Sequence, residues 1–561
     1  MDTYDYVIVG GGSAGCVLAN RLSASGKWKV LLLEAGPPDR NPFIHIPAGI
    51  IPVIRSAVLN WKFWTSAQKN CAGRKMFWPR GRTLGGSSAI NAMCYIRGHA
   101  WDYDHWASLG NDGWGYKDVL PYFRKMENFE ALDKLPASRE YHGKGGPLNV
   151  AEYRDLNPLM SAFVEAAQQA GYKKNQDFNG PSQEGVGTYH VMQKDGQRCS
   201  NARGFLAPVL ERPNLKVITK AHAARVLFEN KRAVGVRYLQ GKRSVDVLAR
   251  NEVIVSAGAI GSPQLLLLSG VGPKAQLEPH GITQVHELPG VGENLQDHLD
   301  IHVTVRERTR FALSFHPFSL WRSLKGIFRY FFRGHTGEFT SNFAQAGGFV
   351  KSDPGQPIPD IQWHLVPFIY SEHGQNLTPL LTNYAYTLMS CFLRPESRGS
   401  IRLASADPLA QPVIDANYLA TKRDLEVLVT GFKKAREVLA QPAFAPHRKE
   451  EMEPGAAVQT DEQIRDYIRA KSETIYHPVG TCKMGRDAMA VVDPRLRVHG
   501  LTALRVVDAS IMPTLIGGNT NAPTTMIAER AADLILQDAS LRTGLRGYAP
   551  ADAEAVTAVE K

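Results

Sequence analysis

A chain of 561 residues, 43% hydrophobic and 21% charged, with 50 glycines and 34 prolines, reads as a turn-rich globular protein too long for one core. Its formal charge of +11 comes from scattered Lys and Arg with no long basic run, which argues against nucleic acid as partner. The six cysteines (Cys16, Cys71, Cys94, Cys199, Cys391, Cys482) have no CxxC spacing, so neither a disulfide framework nor a metal site is expected.

The chain starts with a short β-branched run, YVIVG, followed by GGSAG and then CVLANRLSAS with apolar positions at helical spacing. That order is strand, turn, helix. Gly10, Gly12 and Gly15 make G-x-G-x-x-G in this context: a sharp turn, a close backbone approach to a pyrophosphate, and tight helix–strand packing. The helix N-terminus then faces phosphate oxygens. A second strand, WKVLLLEAG, ends in Glu34, nineteen residues beyond Gly15, where a carboxylate would accept from ribose hydroxyls and disfavour NADP. A dinucleotide is expected; this motif does not choose between NAD and FAD.

Next comes WPRGRTLGGSSAINAMCYIRG (78–98), where Gly81, Gly85, Gly86, Ser87 and Ser88 suit a second close-approach loop beside Asn91. Two such loops suit a ligand longer than NAD. VIVSAGAIGSPQLLLLSGVG (253–272) predicts a buried strand to Ala257-Gly258, a turn through Ser262-Pro263, and an apolar helix stopped by Gly270. The middle of the chain holds strand-like PDIQWHLVPFIY (359–370) and SIRLAS (400–405). Trp363, Phe368 and Tyr370 are pocket candidates, against the commoner role of core packing. In PFSLWRSLKGIFRYFFRG (317–334), Trp321, Leu324, Phe328 and Phe331 share one helical face, with Arg322, Lys325, Arg329 and Arg333 on another. Such a segment lies in a headgroup layer or packs its aromatics inward as a cap helix. Near the end, YHPVGTCKMG (476–485) holds His477 before a proline, and GGNTNAPTTMIAERAADLIL (517–536) reads as a loop entering a helix near Asn521. The tail from about residue 544 is polar and loose.

GRTLGGSSAIN, GAIGSPQLLLLSGVG, GVGENLQDH and YHPVGTCKMG stand in one order from about Tyr4 to Leu536, and in that order they resemble the glucose–methanol–choline (GMC) family of FAD-dependent oxidoreductases, most closely its choline-dehydrogenase-like branch. The resemblance implies an α/β fold with an α+β cap, in which a Rossmann-like FAD-binding domain carries a discontinuous substrate domain built on an antiparallel sheet. Residues 1–155, 195–300 and 475–540 would hold FAD, 156–194 and 301–474 would form the cap, and 541–561 a tail. It implies a cofactor shell of Gly10, Gly12, Ser13, Ala14, Gly15, Glu34, Ala35, Trp61, Arg82, Gly85, Gly86, Ser87, Asn91, Ala92, Met93, Cys94, Val226, Ala257, Gly258, Asp508, Ala509, Asn519 and Thr520. Ile90 stands where some members link flavin through histidine, so FAD is expected to be non-covalent.

An alcohol oxidised by a flavin loses a hydroxyl proton to a base and a hydride, in this family to flavin N5. The matched pair is His477 as base and Asn521 as the amide that orients the oxygen but cannot exchange its own proton. The remaining histidines, including His45, His298 and His364, are expected to be structural. A primary alcohol is the expected substrate, with electrons passing to a quinone or another acceptor and not to NAD. The resemblance to bacterial membrane-associated alcohol dehydrogenases favours an aliphatic one, with choline (which wants an acidic residue or aromatic cage, though the sequence places neither Glu338 nor Glu372 in the pocket), polyether alcohols, an oxygen-using oxidase and a redox-silent lyase as alternatives. No run approaches the roughly 18 apolar residues of a membrane span, so the expectation is a cytoplasmic protein, with attachment to the inner face of the membrane left open.

Overall fold

The computed structural model describes residues 1–314, 316, 319–369, 376 and 378–543, with the side chains of 320, 323, 542 and 543 left aside. The expected segments Tyr370 and 544–561 lie outside these residues, as does Glu372.

Two seven-stranded sheets organise the chain. The first has a parallel centre: Asp2–Val9 lies between Val30–Leu33 and Arg243–Val255, with Leu215–Ile218 beyond one and Leu504–Val506 beyond the other. All four residues of Val30–Leu33 are buried, as strands covered by helices on both faces must be. The antiparallel strands Arg232–Gln240 and His222–Glu229 extend this sheet. Helix Ser13–Ser23 follows the first strand at once, and its close seating depends on Gly15, where a Cβ would stand 1.9 Å from the Gly10 carbonyl oxygen. It packs on the final helix, Asn521–Thr543, through a bidentate Arg21–Glu529 pair. Glu529 is fully buried and also lies 3.5 Å from Lys125 Nζ, so two cations share the charge that the first helix and the last bring together.

The second sheet is antiparallel, in the order Arg448–Glu453, Leu299–Glu307, Ala385–Phe392, Ile361–Val366, Ala346–Val350, Gly185–Thr188, with Glu473–Thr474 also on Leu299–Asp300. Helices Pro158–Gln169 and Lys422–Ala440 cover its back over a core containing Trp363, Leu365 and Phe432. The predicted strand at 400–405 forms only as Ser400–Arg402, and it pairs with Val413–Asp415 outside this sheet.

The expected turn at Ser262-Pro263 is instead interior to helix Gly258–Leu268. A proline there cannot donate to the Ala259 carbonyl one turn earlier. The Thr481 hydroxyl does so, at 2.6 Å, which ties the segment after His477 to the wall of the first sheet. Among the described residues no helix is long and apolar enough to cross a membrane.

Candidate active site

A cavity of about 420 Å³ runs between the two sheets, from Glu34 and Ala35 to His477 and Asn519. At the first end the chain is shaped to admit a ligand close to backbone. Gly10 turns at φ +101°, where a Cβ would stand 2.4 Å from the Ser256 carbonyl oxygen. Gly86 comes so near Gly12 that its Cβ would lie 2.7 Å from the Gly12 Cα. The helix starting at Ser13 has no side-chain cap, so its first N–H groups are left for an anion. Gly258, at φ +80°, has open space where a side chain would stand. These glycines fit a dinucleotide pyrophosphate.

Of the expected shell, Gly10, Gly12, Ser13, Ala14, Glu34, Ala35, Trp61, Gly86, Ser87, Asn91, Ala92, Met93, Cys94, Ala257, Gly258, Asp508, Ala509, Asn519 and Thr520 reach the cavity wall. Four do not. Gly15 packs helix on strand and Gly85 turns the loop at φ +87°. Arg82 lies over the Trp61 ring at 4.9 Å, and Val226 is buried in the core while Ala221, His222 and Ala223 face the cavity. Glu34 already accepts from the Gly11 and Gly36 amides, at 2.9 and 2.6 Å, and burial pushes its carboxyl up to about 7. Each oxygen keeps a lone pair for a ribose hydroxyl. Asp508 turns to the amides of Gly258 and Ser510 and the Ser262 hydroxyl.

At the other end His477 is gripped through its backbone. Tyr476 before it sits at φ +69°, a strained geometry for a non-glycine residue. Arg80 donates to the Tyr476 carbonyl at 2.7 Å, the Thr474 hydroxyl accepts from the Tyr476 amide at 2.8 Å, and Asp297 accepts from the His477 amide at 2.7 Å. The second Asp297 oxygen accepts from Thr474 and Tyr418 hydroxyls.

The imidazole tautomer follows from its neighbours. The Leu393 carbonyl can only accept, so His298 Nε2, 3.1 Å away, carries a hydrogen. Burial presses His298 down to about 3, so it is neutral and its Nδ1 is bare. His477 Nδ1, 2.9 Å from that atom, must then be the N–H, which leaves His477 Nε2 as a lone pair. Asn519 Nδ2, 3.3 Å from His477 Nε2, requires the same assignment, since an amide nitrogen only donates. Burial first, then His298, His364 and Arg80, holds His477 well below the ordinary histidine value, so it stands neutral and ready to accept a proton.

Two expectations are corrected here. The amide beside His477 is Asn519, whose Oδ1 accepts from Gln362 Nε2 at 3.1 Å. Asn521, also on the cavity wall, is the first residue of the final helix, and its side chain bonds to Ser13, Met192 and Asn201 and not to His477. His298 and His364, expected to be structural, belong to the same site: His298 sets the tautomer of His477 and His364 lines the cavity. Trp363 faces the core while Phe368 lines the cavity, because His364 and Val366 occupy the cavity face of their strand and alternation sends Trp363 and Leu365 to the other. Phe343, Ala344, Ile369, Leu380 and Met389 complete the apolar wall, and no sequence motif marks them.

Family models described as GMC oxidoreductase match residues 4–300 and 395–528. The chain belongs to the GMC oxidoreductase family. This GMC oxidoreductase is 52% identical over 540 residues to an alcohol dehydrogenase [acceptor] of Pseudomonas putida, covering 95% of this chain and 96% of that protein. It is 46% identical to the mitochondrial choline dehydrogenase of Homo sapiens over 546 residues, covering 95% and 90%. Among solved structures, pyridoxine 4-oxidase from Mesorbium loti superposes with a TM-score of 0.84 at 32% identity, covering 94% of this chain and 98% of that one. The cofactor of this GMC oxidoreductase is FAD, and the glycine cradle above fits it. Ile90, on the cavity wall, offers no nitrogen for a histidyl bond, so FAD is held non-covalently.

Proposed function

We propose that this enzyme oxidises a primary aliphatic alcohol to the aldehyde and passes the electrons to a quinone or another acceptor other than NAD. The observation that carries this reading is the unprotonated Nε2 of His477, beside the Asn519 amide on the wall of a chamber lined by Phe343, Val366, Phe368, Ile369, Leu380 and Met389. Among the described residues, the carboxylates on the cavity wall are Glu34 and Asp508, both committed to backbone amides at the cofactor end. Glu338 pairs with Arg322 away from the wall. Among the described residues a quaternary ammonium would therefore meet no counter-charge on the wall, whereas an alkyl chain would lose water against apolar side chains at about 25 cal/mol per Å² buried.

When bound, FAD supplies the two-electron acceptor for the hydride. His477 Nε2 takes the hydroxyl proton, and its Nδ1–H stays donated to His298 as the imidazolium forms. The Asn519 amide turns from His477 Nε2 to the alcohol oxygen and donates to it as negative charge grows there, which frees the Nε2 lone pair for the proton. Arg80, Asp297 and Thr474 keep the ring from drifting, and the aromatic wall keeps water out. In this reading residues 1–155, 195–300 and 475–540 carry the cofactor, while 156–194 and 301–474 close over it. A quinone acceptor puts the enzyme at the inner face of the membrane.

The test is anaerobic mixing of the yellow holoenzyme with 1-octanol, choline or a short polyethylene glycol, following the flavin absorbance. Bleaching by 1-octanol, with recovery on adding a quinone and slow recovery in air, is the expected result. Bleaching by choline alone, or rapid recovery in air, would overturn the substrate or the acceptor respectively. In His477→Ala the bleaching rate falls by about 10²-fold or more with flavin retained.

A further inference from the structure

The helix Leu320–Phe332 is built outside-in. Its inner side is closed by Gly326, where a Cβ would stand 3.0 Å from the Phe339 ring, and by the buried Tyr330. Its outer side exposes Trp321 (78%), Phe332 (73%), Phe331 (56%), Phe328 (51%), Leu324 (49%) and Ile327 (40%). A helix on the surface of a water-surrounded protein turns its polar side outward. An apolar aromatic ridge in that position marks an interaction surface.

The charges around the ridge identify its partner. The helix contains no Asp or Glu. Arg322 and Arg329 fold back onto Glu338 and Asp155 and fasten the flanks. Lys325 and Arg333 stand exposed at its border. Two copies pairing through this ridge would bring like charges together with no carboxylate on either helix to offset them, whereas anionic headgroups complement them.

We propose that this helix lies in the surface of an anionic phospholipid bilayer, its aromatic ridge at the headgroup–acyl boundary, and that substrate enters the chamber from the lipid. The chamber's apolar end is bonded to the helix through one segment. Arg322 donates to the Phe311 carbonyl, the Leu313 amide donates to the Pro367 carbonyl, and the Ser314 hydroxyl donates to the carbonyl of Leu380, which lines the cavity beside Phe368. The entry route rests on the alcohol reading above; the docking does not.

The experiment is flotation of the holoenzyme with vesicles of mixed phosphatidylcholine and phosphatidylglycerol, without substrate. Wild type floats, and the variant carrying Trp321→Ser, Phe328→Ser and Phe332→Ser loses at least about tenfold in vesicle affinity while oxidising a short water-soluble alcohol at the wild-type rate. Lys325→Glu with Arg333→Glu weakens binding to these vesicles and leaves binding to pure phosphatidylcholine unchanged. Equal flotation of wild type and the triple variant would overturn the proposal. So would a wild type that does not float, or one that sediments as a dimer in buffer and becomes a monomer in the triple variant. Because flotation is read without turnover, its failure is separable from failure of the alcohol reading.

Discussion

Replacing His298 tests the geometry of the base most directly. In His298→Leu the volume is nearly kept, but His477 Nδ1–H loses its acceptor and the Leu393 carbonyl loses its donor. Leaving one such buried group unmade costs roughly 1–3 kcal/mol. His477 can recover part of this only by moving its hydrogen to Nε2, the atom that must be bare to take a proton. If that energy appears at the transition state, the rate of anaerobic flavin reduction falls by roughly 5- to 150-fold. His298→Gln offers an amide oxygen to His477 and an amide N–H to Leu393, so it recovers most of the rate. The assay is stopped-flow absorbance under saturating alcohol, with flavin content measured first. A His298→Leu protein with full flavin and an unchanged reduction rate would refute the tautomer assignment, whatever the Gln variant does.

The two asparagines separate by readout. Asn519→Ala lowers the reduction rate by about tenfold or more with flavin retained, whereas Asn521→Ala, beside Ser13 at the start of the final helix, weakens flavin retention and leaves the rate of the loaded fraction near wild type. Comparing rate per bound flavin checks both. His364 tests the pH dependence of folding. Burial presses it down to about 4, below its unfolded value near 6.5, so its contribution is present above pH about 6.5 and is lost as pH falls toward 4. Over that window wild type loses about 3 kcal/mol that His364→Phe does not lose, visible as a difference in the pH dependence of the urea midpoint. Parallel profiles would show that His364 is not buried in neutral form.

The cofactor half of the site was legible because steric demands leave marks in sequence. Gly10, Gly15 and Gly86 stand where a Cβ would strike backbone, and no other residue fits those positions unstrained. His477 was legible as a cavity residue through its block, since it precedes Pro478 in a segment with one family order. Its neighbours were not. His298 lies 179 residues away in sequence, and only the antiparallel strand that starts at Leu299 brings it to the base. Asn519 and Asn521 differ by two positions across a helix start, and the direction of each side chain depends on where the first turn closes. Trp363 stood between pocket and core in the sequence because its strand is buried on both faces, so hydrophobicity carries no period to say which residues face the ligand.

The chamber divides into a half that cannot change and a half that can. His477 is locked between Arg80, Asp297 and Thr474 on a strained backbone, but Phe343, Phe368, Ile369 and Leu380 sit on connecting segments and a short helix, beyond the hydrogen-bonded ladder of the sheet. Substitutions in that outer half trade one alkyl length or shape for another without disturbing proton transfer. Directed evolution toward new alcohols should therefore draw its beneficial changes from these four positions and leave the residues around the imidazole untouched, which makes the scaffold readily evolvable for chain length.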